Sequence, residues 1–211
     1  MPLAPETRPV PAPRERLGPA QGEFCHDPSL EAMHRDAQHC ERCDLYKRAT
    51  HLVFGEGTRD ARVVLVGEQP GDQEDLAARP FVGPSGHMLD KCLHEAGIDR
   101  SALYVTNAVK HFKFEPRGKK RLHSKPNSGE IQRCAWWLGG ELDLIKPKLV
   151  VALGATALYS LLGNKVKVTR SRGQIIEVPK GYGVLVTVHP SSLLRSPDRA
   201  AAEKSRMQFI E

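Results

Sequence analysis

Val63-Val64-Leu65-Val66 is an unbroken apolar run between Arg62 and Gly67. A strand with one solvated face alternates apolar and polar residues, whereas a run apolar on both faces must be buried on both. Such a strand needs helices above and below it, the setting of a parallel sheet. Leu103-Tyr104-Val105-Thr106-Asn107 and Lys148-Leu149-Val150-Val151-Ala152-Leu153 fit the same sheet. A long Gly/Pro-containing loop after Gly67 leads to a predicted helix from Ser85 to Ala96, which Gly97 would end. Further helices are predicted for Ser128 to Ile145 and Ala155 to Leu162, and for the C-terminal end. Gln174 to Val178 and Val184 to Val188 read as strands, the second running straight into His189-Pro190-Ser191. A short helix from the cap residue Ser29 to Gln38 precedes the sheet. Strands alternating with helices predict an α/β fold of three layers, with a central, mostly parallel sheet.

Ligands of such sheets gather beyond the carboxyl ends of the strands. Three polar clusters fall at those ends: after Gly67, at Asn107 and at His189. The chain of 211 residues is long enough for one such domain plus a tail. Residues 1–28 hold many of the sixteen prolines and no apolar periodicity, so they read as a flexible tail before a domain over 29–211. No apolar run reaches the ~20 residues that span a bilayer, and the Pro- and Arg-rich start is unlike a signal peptide. The expectation is a cytoplasmic monomer without a membrane partner.

The net charge of +6 favours a polyanionic partner. Its distribution says more. Arg117, Lys119, Lys120, Arg121 and Lys125 place five cations, together with His123, in the nine-residue segment 117–125, which reads as a basic loop. The five cysteines are an odd number, which argues against a disulfide framework. Cys92 sits in a helical pattern and reads as a small core residue. Cys40-Glu41-Arg42-Cys43 is different, because two thiolates at this spacing can grip one metal centre.

The segment after the first strand reads Gly67-Glu68-Gln69-Pro70-Gly71-Asp72, followed by Arg79-Pro80-Phe81-Val82-Gly83-Pro84-Ser85-Gly86. It is not a phosphate-binding loop, since no Gly-Lys-Ser/Thr follows. Together with Leu103 to Lys110 and Val188-His189-Pro190-Ser191-Ser192, these motifs closely resemble the uracil-DNA glycosylase superfamily, in its family-4 iron–sulfur branch. The resemblance runs from about Cys40 to the C-terminus. Gln69 stands where that branch usually has Ala. His111-Phe112-Lys113-Phe114 and the basic segment replace its usual Cys and Pro-rich stretch. Those departures resemble the UdgX-type subfamily, whose members excise uracil and stay bonded to the abasic site.

The resemblance implies uracil-containing DNA, single-stranded by preference, as partner, and a 4Fe-4S cluster as cofactor. Cys40, Cys43 and Cys134 match three cluster ligands, and His111 falls where the fourth would be. Cys25 is the rival fourth ligand, and zinc on the same groups the alternative metal. Phe81 would stack on the flipped base and Asn107 would bond its polar edge, with N–H groups near Gly67, Gln69 and Gly71 adding contacts and Pro70 belonging to the same uracil-binding segment. His189 would donate to the departing uracil anion. Glu68 would stabilise the sugar cation or deprotonate the attacking group. His123 would bond the anomeric carbon itself, because a neutral imidazole is a nucleophile near pH 7. Lys119, Lys120, Arg121, Lys125, Ser191 and Arg195 would contact phosphate. Three readings compete: a family-4 enzyme with ordinary turnover, a non-catalytic iron–sulfur DNA-binding module, and a zinc-containing nucleotide hydrolase.

Overall fold

The structure, a computed structural model, describes residues 29–195 and 199–211. The tail over 1–28, with Cys25, lies outside the described residues. Helix α1 (Leu30–Ala37) begins as its sequence dictates, with Ser29 Oγ accepting the Ala32 N–H. Strands β1 (Glu56–Gly57) and β2 (Val63–Gly67) follow, then helices α2 (Asp72–Ala77) and α3 (Pro84–Glu95) and strand β3 (Tyr104–Asn107). A hairpin of β4 (Phe114–Arg117) and β5 (Lys120–His123) leads to α4 (Ser128–Ile145), β6 (Leu149–Leu153), α5 (Ala155–Leu162) and α6 (Val168–Ser171). Strands β7 (Ile175–Glu177) and β8 (Gly183–Thr187) and helices α7 (Pro190–Leu193) and α8 (Arg199–Ile210) complete the chain.

The main sheet has the order β1-β3-β2-β6-β8-β7. Its four inner strands are parallel and the two edge strands antiparallel. Side chains of the inner strands alternate between two cores, as the period of a pleated strand requires. Val64, Val66, Tyr104, Val150, Ala152, Val184 and Val186 pack on one face with residues of α1, α4 and α5. Leu65, Val105 and Leu153 pack on the other with Leu89 and Leu93 of α3 and Phe209 of α8. The three-layer α/β expectation therefore holds.

Two segments differ from it. The stretch after Gly67 is not loop throughout, since α2 forms within it. The basic segment is not a loop either: Gly118-Lys119 is a two-residue turn with Gly118 at φ +59° between paired strands. Strand β5 escapes an apolar-alternation reading because Arg121 and His123, on one face of it, make polar contacts to Asp72, Asp75 and Glu68.

β2 lies between β3 and β6, so the strands that follow it are laid first on one side of it and then on the other. A crevice opens at such a reversal, beyond the strand ends. Beneath it sits a buried network. Lys110 Nζ donates to Glu141 (2.5 Å), to Thr106 Oγ1 (2.6 Å) and to the Asn107 carbonyl (3.0 Å), and Glu141 also accepts from Tyr104 Oη and the Gly55 N–H. Both charged side chains are fully buried. Lys110→Met would leave Glu141 charged and unpaired, which costs about 3–5 kcal/mol. The expected result is a lower midpoint of denaturant unfolding with an unchanged slope.

Candidate active site at the carboxyl edge of the sheet

Gly67 ends β2 between Asn107 and Phe81. A Cβ on Gly67 would collide with Asn107 Oδ1 and come within 2.6 Å of Phe81 Cζ, so only glycine permits both to approach. Phe81 is held at φ +54°, a costly backbone state for a bulky residue. A Cβ on Gly86 would strike the Phe81 carbonyl, so glycine at the start of α3 accommodates that turn. Glu74 ties the two loops together, accepting the N–H of Gly71 (3.1 Å) and of Gly83 (2.7 Å). The Phe81 ring lies 6.1 Å from the His189 ring, centroid to centroid, at 27°. Phe81, Asn107 and His189 thus surround one space above Gly67.

His189 caps α7. Its Nδ1 accepts the Ser191 N–H at 3.2 Å, and Ser191 Oγ lies 3.0 Å from the same nitrogen. An accepting Nδ1 carries no proton, so the neutral ring bears its hydrogen on Nε2. Burial pushes the pKa down to about 4, and the neutral donor form prevails near pH 7. Arg195 donates to Ser191 Oγ (2.7 Å) and to the Ser191 carbonyl (3.2 Å), so it also braces the cap.

Glu68 follows Gly67 directly. Its Oε1 lies 3.2 Å from His123 Nε2, and its Oε2 accepts a 2.5 Å hydrogen bond from Thr156 Oγ1. Burial pushes the Glu68 carboxyl up, but the hydrogen bonds from His123 and Thr156 more than reverse that, leaving its pKa below the ordinary carboxylate value. An ionised carboxylate only accepts, so His123 presents Nε2–H to it.

The hairpin carrying His123 is docked through Gln69 and Arg121. The Gln69 side chain donates to the carbonyls of Lys113 and Ser124, both at 3.1 Å, and accepts the Lys113 N–H at 3.1 Å, clasping both feet. Arg121 reaches Asp72 and Asp75, both at 2.5 Å, and Thr50 Oγ1 at 3.0 Å. Its guanidinium also lies over Phe112 (5.4 Å) and Phe114 (5.2 Å). The guanidinium of Arg121, expected at phosphate, here turns inward to two carboxylates. Lys119, Lys120 and Lys125 are exposed. Gln69 likewise holds protein with its side chain, leaving its backbone and Pro70 beside the crevice.

Cys40, Cys43 and Cys134 are buried in one core cluster, from which Cys92 is absent. Trp137 Nε1 donates to Cys40 Sγ and the Lys110 N–H to Cys134 Sγ, each at 3.1 Å. Burial pushes the Cys134 thiol up to about 12 and raises that of Cys43, so the thiolates form only where a cation replaces the proton. His111 is buried, with its pKa pushed down by burial to about 4. It shares with Cys40 the lining of a cavity of about 250 Å³. Among the described residues, no three His, Cys, Asp or Glu side chains converge closely enough to hold a single metal ion.

Thr156, Glu74 and Asp75 are the site residues that sequence reasoning left without a role. Thr156 had a signal, being the polar residue of Ala155-Thr156-Ala157-Leu158 directly after a strand-ending glycine. No helix among the described residues is long and apolar enough to cross a membrane.

The family model of the uracil DNA glycosylase superfamily matches residues 54–210. A type-4 uracil-DNA glycosylase of Thermotoga maritima is 38% identical over 174 residues, covering 82% of this chain and 87% of the relative. Those of Pyrobaculum aerophilum and Archaeoglobus fulgidus are 34% and 33% identical, each over 80% of this chain and over 86% and 85% of the relatives. With these motifs gathered at the strand ends, the chain belongs to the uracil-DNA glycosylase superfamily, on its type-4 branch.

Proposed function

We propose that this chain excises uracil from DNA, preferentially single-stranded, and then stays bonded to the abasic sugar through His123, as UdgX-type proteins do. The observation that carries the reading is His123 Nε2 at 3.2 Å from Glu68 Oε1, beside Phe81, Asn107 and His189. A base in single-stranded DNA leaves its stack at lower cost than one in a duplex. Phe81 stacks on it and Asn107 bonds its polar edge. As the bond from C1′ to uracil N1 breaks, its electron pair goes to the uracil, and His189 Nε2–H donates to the developing anion. His123 Nε2 bonds C1′ and its proton passes to Glu68. N-alkylated imidazole is a poor leaving group, so the adduct persists.

The same reading gives the chain a 4Fe-4S cluster on Cys40, Cys43, Cys134 and His111. Buried sulfurs that accept N–H bonds, and a neutral buried imidazole, suit ligands of that kind. A cluster takes its ligands at separate iron corners and does not need them to converge on one point, as zinc would. Its contribution is to cross-link the chain. Protein that is colourless and iron-free after anaerobic purification would sink this assignment.

A denaturing gel with uracil-containing single-stranded DNA tests the main reading. Wild-type protein gives a shifted, denaturant-resistant band, and His123→Ser gives none. A full yield of covalent complex from His123→Ser refutes the assignment, and a cleavable abasic product without a shifted band from wild type means turnover. The exposed Lys119, Lys120 and Lys125 contact phosphate in this reading. Lys119→Ala with Lys120→Ala is expected to reduce the slope of log affinity against log salt by about 0.7 per lysine on single strands.

A further inference from the structure

We infer that Thr156 is a positioning residue for Glu68, holding one carboxylate oxygen so that the other is set toward His123. The inference rests on the proposed roles of Glu68 and His123. A carboxylate at a chain turn can rotate, and either oxygen can then face the sugar, a water or the imidazole. Here Oε2 accepts the Thr156 hydroxyl at 2.5 Å while Oε1 faces His123 Nε2 at 3.2 Å. Thr156 is itself 2% exposed. Its place is set by the backbone around it. Gly154, at φ +93°, turns the chain from β6 into α5, and a Cβ there would come 3.1 Å from His189 Cβ. The turn that brings Thr156 to Glu68 therefore also packs against His189.

With Oε2 held by Thr156, the carboxylate is fixed in the rotamer that sets Oε1 toward His123 Nε2. The nucleophile adjoining the carboxylate is then the imidazole, and the sugar is trapped in preference to being hydrolysed. The charged and titratable groups that face Glu68 are His123 from β5 and His189 from the start of α7. Neither is hydrogen-bonded to Oε2, so Thr156 alone holds that oxygen among the described contacts.

The test is single-turnover reaction of full-length protein with uracil-containing single-stranded DNA, comparing wild type, Thr156→Val and Thr156→Ser. Two quantities are read: the rate of uracil release, and the ratio of covalent adduct to free abasic product. The ratio is independent of the fraction of protein that is folded, so a merely structural role does not move it. Thr156→Val removes the hydroxyl at nearly constant volume. It is expected to slow release roughly tenfold or more, the scale of a hydrogen bond to a charged group, and to lower the adduct ratio by a similar factor. Thr156→Ser keeps the hydroxyl and is expected to restore both. An unchanged rate and ratio in Thr156→Val overturns the inference, as does a serine variant no better than the valine one. If wild type forms no adduct, the His123 reading fails, while the release rates of the two variants still decide whether Thr156 positions Glu68.

Discussion

Replacing His189 with Ala is expected to slow uracil release by about 10²–10³-fold, the usual loss when one pre-aimed donor to a developing anion is removed. Single-turnover measurement with saturating protein checks it, since binding then drops out. The size of the effect follows from pre-organisation. The Ser191 N–H fixes the proton on Nε2 before substrate arrives, and burial keeps the ring neutral. A second consequence concerns stability. The folded pKa of about 4 lies below the 6.5 of a free imidazole, so between those values the unfolded chain binds a proton that the folded one does not. The contribution of His189 is full above about pH 6.5 and is lost as pH falls towards 4. Denaturation curves across that window should flatten in His189→Gln. An unchanged pH dependence would mean that the ring is not buried neutral.

On the proposed role of His123, Arg121→Ala is expected to reduce adduct formation by about a hundredfold, the scale of a lost hydrogen bond to a charged group, while uracil release falls less. The guanidinium joins the hairpin to Asp72 and Asp75, and charge-assisted bonds of this kind are about twice as strong as neutral ones. Asp75 is fully buried and also accepts the N–H groups of Thr50 and His51, which lie along the cavity shared by Cys40 and His111. Without Arg121 the hairpin loses its ties to Asp72, Asp75 and Thr50, so His123 spends less time on Glu68. Phe81, Asn107 and His189 do not sit on the hairpin, which is why the two activities should separate. Equal loss of both would show that the hairpin also shapes the uracil pocket.

Much of this site was legible in the chain. Glycines at strand ends, the Glu68–Gln69 pair, Phe81, Asn107 and His189 are local signals, because each depends on a turn or strand end that its own neighbours dictate. The role of Gln69 was not legible. Its residue type stood out against the family pattern, but its three bonds run to Lys113 and Ser124, more than forty positions away. The partners of Arg121 were hidden for the same reason: a cation in a basic run looks solvated until the fold brings Asp72 and Asp75 to it.

The sequence by itself determined the layered α/β architecture, since apolar runs and helical periods are short-range patterns set by burial. It also determined which residues stand at the carboxyl ends of the strands. Only the tertiary structure decided how those residues divide the work. The pairing of Glu68 with His123 and Thr156, the inward turn of Arg121 and the tautomer of His189 arise from contacts between segments that the sheet brings together. Hydrogen bonds are directional and short, so their partners are fixed only once the backbone positions are.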